Sequence, residues 1–128
     1  MANYNSFSPN DITVQPSEVY KYVQGDTGPQ LRLTFTDEDT GTATDLTSAT
    51  VTMHFRSKDG GPVLFSKTLY VNPDPAESIK GIAIVNWAAG DLDQDPGDYL
   101  GEIEVIRSSG VRETLYDALH FTIREDFA

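Results

Sequence analysis

The stretch GDLDQDPGDYLGEIE, residues 90–104, places carboxylates at Asp91, Asp93, Asp95 and Glu102, which are positions 1, 3, 5 and 12 of a twelve-residue calcium loop. Hard oxygen ligands at that spacing could hold a divalent cation. Such a loop needs glycine at position 6, for a sharp turn, and helices on both sides. Here position 6 is Pro96, whose fixed φ cannot supply the turn, and the residues from Tyr99 to Ile106 alternate as a strand. What is left for metal is an irregular calcium site at a sandwich edge, built from Asp91, Asp93 and Asp95. The reading adopted is a turn with solvated carboxylates, with no metal and no cofactor.

The same letters contain Asp95-x-Gly97-x-Tyr99. In immunoglobulin-like domains this pattern marks a tyrosine corner: the aspartate and glycine turn the chain, and the tyrosine enters the core with its hydroxyl bonded back to upstream backbone. Asp95, Gly97 and Tyr99 are therefore expected to be structural. In antibody domains a cysteine follows two residues after that tyrosine, whereas here Gly101 takes the place. Trp87 also precedes the tyrosine too closely to be the usual strand C tryptophan. The corner points to an immunoglobulin-like sandwich outside the antibody family.

Other chemistry has little material. His54 and His120 are the only histidines, and both fall on strand faces. The absence of cysteine excludes disulfides, zinc thiolates and thiol catalysis together. No Gly-x-Ser-x-Gly elbow and no phosphate loop occurs, and QGDTGP at 24–29 lacks the helix such a loop requires. Sequence spacing says nothing of paired carboxylates of glycosidase type. The expectation is a protein that is not an enzyme.

The elements that carry these residues are strands. Leu31, Leu33 and Phe35 alternate with Arg32, Thr34 and Thr36; Val51, Met53 and Phe55 with Thr52, His54 and Arg56; Leu119, Phe121 and Ile123 with His120 and Thr122. Each run has an oily and a wet side, so a second sheet must cover the oil. Eight strands are predicted, at 19–23, 30–36, 49–56, 63–70, 81–87, 98–107, 111–116 and 118–124. KDGG at 58–61 reads as a hairpin turn, and VNPDPAES at 71–78 is excluded from any central strand by its prolines. A helical turn is predicted at 88–92. The fold class is all-β: an immunoglobulin-like, two-sheet antiparallel β-sandwich of 7–8 strands with a short irregular N-terminal arm. The domains are an arm at 1–18 and a sandwich at 19–128.

With 128 residues and a formal charge of −11, the chain is long enough to bury a core and too acidic to suit nucleic acid phosphates. Its N-terminus has neither a basic region nor an apolar run, so no signal peptide and no membrane contact are expected. Residues 1–17 are rich in Asn, Ser and Pro. Their isolated apolar residues Tyr4, Phe7, Ile12 and Val14 suit an arm that docks on a neighbouring subunit.

From Tyr20 to Gly61 the order of features resembles the N-terminal domain of the phage baseplate upper protein family, a β-sandwich module of tail and baseplate proteins. The matching positions are Gly25, Asp26 and Thr27; Leu31, Leu33 and Phe35; Asp45, Leu46, Thr47 and Ala49; Val51, Phe55 and Arg56; then Gly97, Tyr99 and Glu102. These are turn and core signatures, and they span roughly residues 20–124. The family module usually heads a longer chain, while this one ends at Ala128, so a stand-alone piece is expected. The resemblance implies a virion structural protein of a tailed bacteriophage, made in the host cytoplasm. It would mediate subunit contacts in the tail, baseplate or fibre attachment, as many copies in a symmetric assembly with other phage structural proteins. Two alternatives stand beside it: a capsid decoration or cement protein, and a carbohydrate-binding module that touches a host glycan through Trp87 and the tyrosines.

Overall fold

The computed structural model describes residues 12–16 and 18–128. In chain order the elements are β1 (Ile12–Gln15), β2 (Tyr20–Val23), β3 (Leu31–Asp37), β4 (Thr50–Ser57), β5 (Phe65–Thr68), α1 (Pro75–Ser78), β6 (Ile82–Val85), β7 (Gly97–Ile106), β8 (Arg112–Thr114) and β9 (Leu119–Arg124). One sheet has the order β1-β3-β6. The other runs β2-β9-β7-β4-β5, with β8 also paired to β7. The chain is an all-β sandwich of nine strands among the described residues, with one short helix.

Period-two alternation explains the two layers. Leu33, Phe35, Ala83 and Val85 of the first sheet and Val51, Met53, Phe55, Ile103, Val105, Phe121 and Ile123 of the second are all buried and meet face to face. At one end of this core the rings of Tyr22, Phe55, Tyr99, Trp87 and Phe121 form a cluster, with Phe55 stacked on Tyr99 at 5.1 Å and edge-on to Phe121 at 5.3 Å.

Three sequence expectations need correction. First, the irregular arm was placed over residues 1–18, yet Ile12–Gln15 pairs antiparallel with β3, Val14 opposite Phe35, and so belongs to the sandwich. Four residues are too few for periodicity to show. Second, the sheets are not wholly antiparallel, because β2 runs parallel to β9, Tyr20 opposite Phe121. The chain leaves the first sheet after Gln15 and joins the second without reversing, so it lies beside the last strand in the same direction. Third, the helical turn sits at Pro75–Ser78 and not at 88–92. Asp74 caps it by accepting the Ala76 N–H at 3.0 Å, and Pro75 supplies the preset φ of a first helical position.

Candidate functional site

The loop between β6 and β7 carries the three aspartates. The Asp91 carboxylate accepts the Ala88 N–H at 2.8 Å and pairs with Lys67 Nζ at 2.8 Å. Leu92 beside it is fully buried, which pins the loop to the core, and its carbonyl accepts the Gly25 N–H at 2.9 Å. Asp93 and Asp95 are exposed. Among the described residues no group of three or more His, Asp or Glu is placed to hold a metal ion. Asp91 therefore departs from the solvated turn expected of it: it is an internal tie to β5. Glu102, the twelfth position of the notional loop, lies on β7 opposite His54.

Tyr99 begins the run of β7 that enters the core, and its hydroxyl donates to the Asp95 carbonyl at 2.5 Å, the geometry of a tyrosine corner. Burial, with Asp95 adding to it, holds its pKa above the ordinary phenol value. A second corner is present that the sequence reading missed: the Tyr20 hydroxyl donates to the Pro16 carbonyl, again four residues upstream. Burial first, then Glu18 and Tyr22, push the Tyr20 pKa up to about 12. The available signal was the recurrence of a tyrosine four residues after a turn. Tyr20 and Tyr99 lie opposite Phe121 from the two neighbouring strands, so both corners brace one core residue.

Gly101 occupies the place of the antibody cysteine for a steric reason. A Cβ there would lie 2.8 Å from Met53 Sδ and 2.9 Å from Phe121 Cε2. Phe121 of the aromatic cluster and Met53 pack against this position. Trp87 belongs to that cluster and is only 6% exposed. Its indole N–H finds no hydrogen-bond partner among the described residues. Trp87, Tyr20, Tyr22 and Tyr99 are thus core residues and not a surface platform for sugar rings. Among the described residues the exposed aromatics are Tyr70, Tyr116 and Phe127.

The motif Asp45-Leu46-Thr47 also serves the fold. The Asp45 carboxylate accepts both the Thr47 N–H at 2.9 Å and the Thr47 hydroxyl at 2.5 Å, and these bonds hold its pKa below the usual range. Leu46 is fully buried, and Arg107 donates to the Asp45 carbonyl at 3.2 Å while pairing with Glu113 at 2.8 Å. His54 makes a 2.6 Å hydrogen bond to Ser66 across the outer face of the second sheet, flanked by Glu102 on the other side. The row lies on an open sheet face. His120 stands on the same face, opposite Leu100.

A concave feature lies elsewhere, at the point where the chain switches sheets. β2 covers the edge of β9 only from Phe121 upward, which leaves the edge beside Leu119 open. There β1 of the first sheet and the β8–β9 connection of the second enclose a cleft of ≈ 360 Å³, lined in its apolar part by Ile12, Val14, Tyr20, Leu115, Ala118 and Leu119. Ile12 and Val14, expected as docking residues of an arm, are thus half-buried strand residues whose side lines a cleft. Tyr4 and Phe7 lie outside the described residues.

No family model and no curated protein matches the chain. Among solved structures, CopC from Methylosinus trichosporium OB3b is similar over 92% of this chain and 96% of its own, with a TM-score of 0.52 at 11% identity. A family 76 glycoside hydrolase from a bovine Bacteroides thetaiotaomicron strain is similar over 88% of this chain and 20% of its own, with a TM-score of 0.45 at 18% identity. At such identities the first likeness bears on the fold alone: the chain shares a two-sheet β-sandwich architecture with CopC.

Proposed function

We propose that this protein is a non-enzymatic structural subunit of a tailed-phage virion, making subunit contacts in the tail, baseplate or fibre attachment region. The observation that carries the reading is the cleft between β1 and the β8–β9 connection, where apolar residues stand beside Glu18, Asp117 and His120. It opens on an unpaired stretch of strand edge, and an extended segment of a neighbour can add backbone hydrogen bonds there while placing a side chain in the cleft. The proposal extends to residues 1–11, which precede β1 in the sequence: Tyr4 and Phe7 are assigned to docking on a neighbouring subunit. The motifs shared with the baseplate upper protein family support the same role through their turns and core positions. A cement role on the capsid would use the same surface. The glycan reading loses Trp87 as a platform and rests on Tyr70 and Tyr116.

Particles from a strain complemented with a chain lacking residues 1–11, β1 left intact, test the proposal. The truncated protein is expected to unfold at the same temperature as the full chain but to be depleted from purified particles. Normal occupancy would remove the arm from the proposal. Absence of the full-length protein from purified virions would overturn it altogether.

A further inference from the structure

The outer face of the first sheet is unlike the rest of this acidic surface. Since Leu31, Leu33 and Phe35 point inward, Arg32, Thr34 and Thr36 point outward; on β6, Ala83 and Val85 are inward and Ile82 and Ile84 outward. Register places Arg32 beside Ile84, and Thr34 beside Ile82. The sheet is extended past β6 by Tyr70, whose N–H donates to the Ile84 carbonyl at 2.8 Å and whose own carbonyl accepts in return at 2.9 Å. Tyr70 is 49% exposed. On β1 the outward residues are Thr13 and Gln15. No outward position of these strands is acidic, in a chain with 20 Asp and Glu. The outer face of the second sheet differs: Asp98, Glu102 and Glu104 stand among Arg56, Lys21 and Arg112, with Arg112 and Glu104 paired at 3.6 Å.

We infer that this face binds a second copy of the same chain in a twofold, face-to-face dimer. Two molecules of charge −11 repel each other, and contact is cheapest where acidic groups are absent. The face is also self-complementary. Tyr70, Ile84 and Arg32 form one row across three neighbouring backbones spaced by about 4.8 Å, so Tyr70 and Arg32 stand one step to either side of Ile84. A twofold axis lying along β6 brings each Arg32 over Tyr70 of the second copy, which gives the single charge of the patch an aromatic face, and packs Ile84 on Ile84. A basic partner would seek the acidic loops instead. These strands present few outward residues beside the roughly 20–30 per partner of a standard interface, so the dimer is weak and in rapid exchange. This inference concerns the isolated chain and does not rest on a virion role.

The test is sedimentation equilibrium of the full chain over a concentration series reaching about 1 mM, at low and high sodium chloride. A monomer–dimer equilibrium that tightens with salt is expected, because screening removes repulsion and no acid–base pair crosses the interface. Ile84→Glu and Thr34→Glu should each weaken it at least about tenfold, while Thr50→Glu, on the outside of the second sheet, leaves it unchanged. Two face variants guard against one that misfolds, which thermal unfolding of each would reveal. A monomer under all conditions, a dimer that weakens with salt, or one that survives both face variants would overturn the inference.

Discussion

Lys67 Nζ lies 2.8 Å from Asp91 Oδ2, with both side chains only 16% exposed, and the pair ties the edge strand β5 to the loop that crosses between the sheets. Because the Asp91 carboxylate also accepts the Ala88 N–H, removing it releases a cation and a backbone donor at once. Asp91→Ala is expected to cost about 1–3 kcal/mol in urea unfolding, and Asp93→Ala within about 0.5 kcal/mol. Equal effects would mean that the pair contributes nothing beyond a surface charge.

That pairing also settles what a chelator should do. With Asp91 held by Lys67 and Asp93 and Asp95 exposed on the loop, chelation is expected to leave the melting temperature unchanged. A fall of several degrees, restored by calcium, would require the three aspartates to converge on an ion.

The Tyr99 hydroxyl bond to Asp95 predicts that Tyr99→Phe costs about 1 kcal/mol, through one lost hydrogen bond and an acceptor left without its donor. The ring still stacks on Phe55, so the change should leave near-ultraviolet circular dichroism nearly native.

Alkaline unfolding reports on Tyr20. Its folded pKa is raised from 10.0 to about 12, so above pH 10 the unfolded chain gives up a proton that the folded chain keeps. The stability contributed by the neutral phenol is complete below pH 10 and is lost as pH rises through about 12, with a limiting slope near 1.4 kcal/mol per pH unit. Tyr20→Phe is expected to flatten that decline in denaturant titrations between these pH values. An unchanged slope would assign the loss to other groups.

Gly101 gives a steric prediction. Valine there drives methyl groups into Met53 and Phe121, which must shift to make room. Gly101→Val should cost about 1–3 kcal/mol or more, and the smaller Gly101→Ala less; chemical denaturation of the two side by side gives the order.

Much of the architecture was legible from side-chain order alone. Alternation at Leu31 to Thr36 and Val51 to Arg56 assigned inward and outward faces correctly because a strand buried on one side repeats every two residues, whatever its partners. The tyrosine corner was legible for a similar reason: its donor and acceptor are only four residues apart. What spacing along the chain does not encode is which distant residues meet. Asp91 reads as one of three equivalent acidic turn residues until β5 brings Lys67 to it, 24 positions away in sequence. Ile12 and Val14 read as isolated apolar residues until β3 pairs with them. The cleft beside Leu119 exists only because β1 and β2 lie in different sheets, and the face free of acidic groups needs Tyr70 set beside Ile84 by a single backbone bridge. The sequence by itself determined the layers, the inward faces and the local turns, which are short-range consequences of sterics and burial; pairing order, the sheet switch and the surfaces they build were decided by the tertiary structure, where long-range backbone hydrogen bonding chooses the neighbours.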